Sequence, residues 1–180
     1  MEDLARRLGV SYHPDPLIFP KAGQPGSADS IRINDEQLWQ LVEQQNWVNI
    51  DAGIITNDPG KALLCSGGRT RCAISPHGEV FPCALWRIPL GDLRQHTFKE
   101  VWHSEAANRV RAVTVNDFPM CTKCALVHYC TRCPGMVYME NSSISGPSLE
   151  NCRMACAIKG VKDSEEQETV HKSRNRVRTD

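Results

Sequence analysis

Nine cysteines constrain this chain more than any other feature, because they are grouped: Cys65, Cys72 and Cys83, then Cys121, Cys124, Cys130 and Cys133, then Cys152 and Cys156. The middle group reads C-x2-C-x5-C-x2-C within 13 residues, a spacing that lets short turns aim several sulfurs at one centre. Thiolates are soft ligands that iron–sulfur clusters and zinc select. A disulfide scaffold is the ordinary alternative, but it requires an oxidising compartment and an even count. Zinc competes more seriously, since structural zinc sites also use C-x2-C pairs. Zinc modules usually separate those pairs by a long loop, whereas 5 residues lie between Cys124 and Cys130, a crowding closer to ferredoxin-like ligation.

The bulk properties exclude several function classes. The 180 residues hold neither an apolar run near the membrane-spanning length nor a basic-then-apolar start, so the expectation is a soluble, cytoplasmic protein with no membrane partner. Lysine plus arginine equals aspartate plus glutamate at 21 each, which gives no pull toward nucleic acid. Aromatic residues are 6%, and the 41% counted as hydrophobic includes the cysteines. The apolar core is therefore expected to be thin, with metal supplying what it lacks.

Along the chain, Leu4 and Leu8 before Gly9 read as a short helix with a C-terminal stop. Residues 10–30 are rich in proline and glycine around Leu17 to Phe19, a connector with one short strand. Asn34 with Gln37 opens a helix through Gln45, with Leu38, Leu41 and Val42 on one face. Ala73 to Phe81 is a hairpin signal with Pro76 and Gly78 in the turn. A second turn at Gly91-Asp92 precedes a capping box, Thr97 to Glu100, and a helix whose apolar face is Phe98, Val101 and Trp102. Pro147 and Ser148 start a last helix that is expected to stop at Gly160, leaving a charged, disordered tail.

Cys65-Ser66-Gly67-Gly68-Arg69, Gly78 with x4 to Cys83, the dense run, and then Cys152 closely resemble the SPASM domain, the C-terminal auxiliary-cluster module of many radical S-adenosylmethionine enzymes. Leu90-Gly91-Asp92-Leu93 and Phe98-Lys99-Glu100-Val101-Trp102 also look like the stretches those proteins place between their cysteines. The departures are the two-residue gap between Cys130 and Cys133, where three is commoner, and the extra Cys72 and Cys156. The resemblance implies a small, irregular α+β fold, a short β-hairpin plus several short helices organised around two four-iron, four-sulfur clusters. Carried over by position, Cys65, Cys83 and Cys133 hold the first cluster, and Cys121, Cys124, Cys130 and Cys152 hold the second. The eighth ligand is open between Cys72, which is favoured, and Cys156 at i+4 from Cys152. If neither binds, the first cluster keeps an open iron. Crossed ligation of this kind makes the clusters the cross-links of residues 61–160, so metal loss is expected to unfold that segment.

Arg69, Arg71, Lys123, Arg132 and Arg153 flank these cysteines, and a neighbouring cation can raise a cluster's potential or steady its sulfurs. Solvated surface cations are an equal reading for any one of them. His77 and His128 are lone loop histidines, more often bystanders than ligands. Trp86 and Trp102 read as packing residues rather than as a substrate path.

A radical S-adenosylmethionine enzyme needs a C-x3-C-x2-C loop, and no such spacing occurs in these 180 residues. Residues 1–60 resemble only the end of that enzyme's barrel plus a connector helix, 61–160 the auxiliary module, and 161–180 the tail. The chain is expected to be the C-terminal part of a larger enzyme, unable to cleave S-adenosylmethionine alone. Its expected partners are the radical core and a peptide or protein substrate, for which the clusters serve electron transfer or docking. The alternative reading is a zinc-stabilised interaction module without redox chemistry.

Overall fold

The computed structural model describes residues 1–21, 23–24, 26–45, 65–130 and 132–176. Residues 61–64 of the expected module and 177–180 of the expected tail lie outside these. The fold is a small α+β arrangement around a three-stranded antiparallel sheet in the order β1-β2-β3. Strand β1 (Ala73–Ile74) pairs with β2 (Glu79–Phe81), placing Ala73 opposite Phe81 and Ile74 opposite Val80. The turn between them closes where Gly78 N–H donates to the Ser75 carbonyl at 3.0 Å, with Gly78 at φ 87°, a left-handed conformation that glycine adopts without penalty.

Gly91-Asp92, expected as a turn, is instead strand β3, pairing with Glu79 and Val80 of β2. A two-residue strand carries no alternation that could reveal it. Its Asp92 carboxylate then accepts from Arg94 N–H at 2.8 Å, so the turn signal belongs to the residues just after. Helix α3 (Phe98–Trp102) begins at the expected capping box, with Thr97 and Glu100 bonded reciprocally. Of its three apolar residues only Val101 enters the core, at 2% exposure, whereas Phe98 is 45% exposed and stacks on Trp102 at 5.6 Å. Helix α4 (Glu105–Ala112) turns Ala107 and Val110 inward. Val80, Trp86, Leu90, Val101, Ala107 and Val110 form one buried apolar core in this lobe.

A second core joins the ends of the described chain. Helix α1 (Glu2–Leu8) stops at Gly9 as expected. No strand occurs at 17–19, and the isolated pairing nearby is of Lys21 with Gln24. Helix α2 (Asp35–Gln44) has the Asn34/Gln37 capping box and buries Leu38 and Val42. After α5 (Pro119–Thr122) and α6 (Pro134–Asn141) comes the long helix α7 (Leu149–Arg176). Leu38 and Val42 pack on its Ala157, Ile158 and Val161. Arg153 ties the pair further, donating to Asp35 at 2.6 Å, to Glu150 at 2.7 Å and to the Ile33 carbonyl at 2.7 Å.

The expected stop at Gly160, and with it the start of the tail at 161, is therefore corrected. Gly160 lies inside α7, where an added Cβ would meet Trp39 Nε1 at 3.2 Å; it permits close approach of α2, and Val161 is buried at 1% exposure. Among the described residues no helix is long and apolar enough to cross a membrane.

Candidate metal centre

The loop that begins at Cys65 is a tight turn in which the Ser66 carbonyl accepts from the N–H groups of Arg69, Thr70 and Arg71. Two arginines clamp it to the end of α4. Arg69 Nη2 donates to the carbonyls of Arg111 at 2.8 Å and Val113 at 3.1 Å, and Arg111 Nε returns a bond to the Gly68 carbonyl at 2.8 Å. Cys83 follows β2, and its Sγ accepts from Trp86 N–H at 3.2 Å. Cys133 caps α6, whose first turn presses on the hairpin lobe so closely that a Cβ on Gly135 would meet Leu85 Cβ at 2.7 Å. Cys133 holds the N-cap position of α6, and the neighbouring thiols that act on it are Cys65 and Cys83. Burial is the main cause that pushes the Cys133 thiol above its ordinary range, with those two neighbours adding.

The other thiols gather separately. Cys121 sits on α5, and Cys124 just after it accepts from Leu126 N–H at 3.4 Å. Cys130 follows a 3-10 turn, Val127–Tyr129, and accepts from the Arg132 backbone N–H. Cys152 reaches them from α7. Burial raises the Cys152 thiol first, followed by Cys130, Cys121, Cys124 and Cys156. The Cys130 thiol is likewise raised, by burial before its neighbours Cys121 and Cys124. Burial also raises Cys121, against the pull of Arg132.

The two remaining cysteines differ. Cys72 is half-buried beside the core of the hairpin lobe. Cys156 is exposed and acts on Cys152, so it stands beside the second group rather than the first.

Of the five cations singled out in the sequence, Arg132 has the unusual setting. Arg69 spends its donors on carbonyls and Arg153 on carboxylates and a carbonyl, while Arg71 and Lys123 are exposed. Arg132 is 5% exposed, and its Nε, Nη1 and Nη2 find no hydrogen-bond acceptor among the described residues. Its Cζ lies 3.6 Å from the centroid of the Phe118 ring, and its backbone is left-handed at φ 44°, which costs a non-glycine residue about 1–2 kcal/mol. Burial lowers its pKa, opposed by the thiols of Cys121, Cys130, Cys152 and Cys124. Sequence reasoning did not single out Phe118, although a bulky aromatic three residues ahead of Cys121 was an available signal. His77 and His128 are exposed, and Trp86, at 1% exposure, packs in the core.

These surroundings fit an iron–sulfur group. The donor set is thiolate, backbone N–H groups point at the sulfurs, and a buried guanidinium without an acceptor stands among four of them. Among the described residues no group of three or more histidine, cysteine, aspartate or glutamate side chains is drawn together around a single ion position.

Residues 65–134 match the SPASM family, described as an iron-sulfur cluster-binding domain; Cys152 lies beyond the matched segment. The chain is also 31% identical over 72 residues to an AdoMet-dependent heme synthase of Methanosarcina barkeri. That match covers 39% of this chain and 20% of the relative, so the chain spans about a fifth of that protein's length. No solved structure matches. Residues 65–134 are thus a SPASM domain, the iron–sulfur cluster-binding module of radical S-adenosylmethionine enzymes.

Proposed function

We propose that this chain holds two four-iron, four-sulfur clusters and acts in the cytoplasm as the auxiliary-cluster domain of a radical S-adenosylmethionine enzyme that modifies a peptide or protein. Cys65, Cys83 and Cys133, with Cys72 as fourth ligand, hold the first cluster; Cys121, Cys124, Cys130 and Cys152 hold the second. The observation that carries this reading is the grouping of thiols: Cys133 keeps company with Cys65 and Cys83, 50 or more positions away in sequence, rather than with its neighbours in the dense run. When bound, such clusters supply one-electron transfer at potentials set by charge, hydrogen bonds and exposure.

The residues around them do the orienting. The Arg69 and Arg111 clamp fixes Cys65, Gly135 lets α6 bring Cys133 against Cys83, and α7 delivers Cys152. The S-adenosylmethionine site belongs to a radical core on the same longer protein or on a separate chain. The substrate class rests on the family resemblance, whose members act on ribosomal peptides, sulfatase-type enzymes and small molecules.

Iron and sulfide analysis of the anaerobically reconstituted protein tests the reading. It should approach about eight of each per chain, the content of two cubanes. A plateau near four would remove one cluster, and stoichiometric zinc without sulfide would establish a zinc module instead.

A further inference from the structure

We propose that the Arg132 guanidinium donates to sulfurs of the cluster held by Cys121, Cys124, Cys130 and Cys152, and that it raises the reduction potential of that cluster selectively. The inference rests on the proposed two-cluster reading and assigns one residue a task within it.

The position of Arg132 is unfavourable on its own. A buried, unpaired cation costs several kcal/mol, and the left-handed backbone adds to that. Packing against Phe118 offers a cation–π attraction but no hydrogen-bond acceptor for the buried N–H groups, so stacking alone leaves the placement unexplained. A negatively charged acceptor would reverse the sign. Among the described residues, the groups of that kind that act on Arg132 are the thiols of Cys121, Cys130, Cys152 and Cys124. The Arg132 Cζ lies over the Phe118 ring, and a ring satisfies none of the five N–H donors as an oxygen or sulfur acceptor would.

Selectivity follows from position. Arg132 acts on the second group of thiols, whereas the charges acting on Cys133, in the first group, are those of Cys65 and Cys83. A cluster bound by thiolates is negatively charged and becomes more so on reduction, so a fixed buried cation with N–H···S bonds favours the reduced state. Lys123, next to Cys124 but exposed, is screened by water and should have little such effect.

The test is a potentiometric titration of the full chain, reconstituted anaerobically and followed by electron paramagnetic resonance, for the wild type, R132Q, R132K and K123Q. A Cys83→Ala background isolates the second cluster's signal. R132Q should shift the second cluster to a more negative potential and leave the first unmoved. R132K, which keeps the charge but not the planar fork, should shift it less, and K123Q should not shift it. If R132Q retains wild-type iron and sulfide with both potentials unchanged, the inference is overturned. Should R132Q fail to load the second cluster, R132K decides: loading near the wild-type potential supports the charge role, and loss in both variants reduces Arg132 to a packing piece on Phe118. Wild-type protein without iron and sulfide would instead remove the two-cluster reading itself.

Discussion

The hairpin lobe and the cysteine-dense run are held by different forces. From Ala73 to Ala112 the chain buries Val80, Trp86, Leu90, Val101, Ala107 and Val110 in one apolar core, backed by a sheet and two capped helices. Among the described residues from Phe118 to Cys133 there are a four-residue helix and one 3-10 turn, with Phe118 and Val127 buried and Arg132 buried against Phe118 without an acceptor. Apolar burial near 25 cal/mol per Å² can sustain the first region unaided. The second has too little of it, so its order should depend on what its thiols bind. On the proposed reading, metal would staple the second region and add to the first.

The largest effect should therefore come from removing the metal. Chelation should abolish amide-exchange protection across residues 118–133 and leave most of it over 73–112 and in the α2–α7 pair. Hydrogen-exchange mass spectrometry reads this directly, and equal loss in both regions would erase the contrast. Next in size, Leu90→Ala should destabilise the hairpin lobe by about 3 kcal/mol whether or not metal is present, because the side chain is 3% exposed in a core it cannot refill. Urea unfolding of the loaded and metal-free forms checks it; a penalty seen only in the loaded protein would mean that the lobe needs the cluster after all.

Phe118→Leu should cost less, about 1–2 kcal/mol, by removing the ring under Arg132, and only when the run is ordered by metal. Thermal unfolding with and without metal would show that dependence or its absence. The smallest effect belongs to Asp92. Its carboxyl, ordinarily near 3.8, is held down at about 2, first by the Arg94 side chain and then by the Arg94 N–H. Because the folded pKa is the lower one, this contribution is complete above about pH 4 and fades as the pH falls toward 2. Asp92→Asn should flatten the stability profile slightly in that window and nowhere else, as measured by acid titration of the circular dichroism signal.

Legibility in the sequence followed the range of the signal. The hairpin turn, both capping boxes and the dense run are written within four to thirteen consecutive residues, and the structure has each element there. Strand β3 was hidden because two residues cannot alternate. Gly160 misled for a related reason: a glycine after an apolar stretch signals a helix end, yet here it makes room for Trp39 from a distant helix. The expectation of a thin core described the dense run and missed the hairpin lobe, since composition averages two unlike regions. Five flanking cations are equivalent in the sequence; burial against Phe118 without an acceptor among the described residues separates Arg132 from the rest.

The crossing of ligands between the two regions is the central claim, and Cys133→Ala tests it most directly. Cys133 lies in the dense run by sequence, but its thiol sits with Cys65 and Cys83. Electron paramagnetic resonance and iron analysis of the reconstituted variant should show the first cluster lost, about four irons remaining, and the second cluster's spectrum intact. Loss of the second cluster with the first preserved would contradict the account.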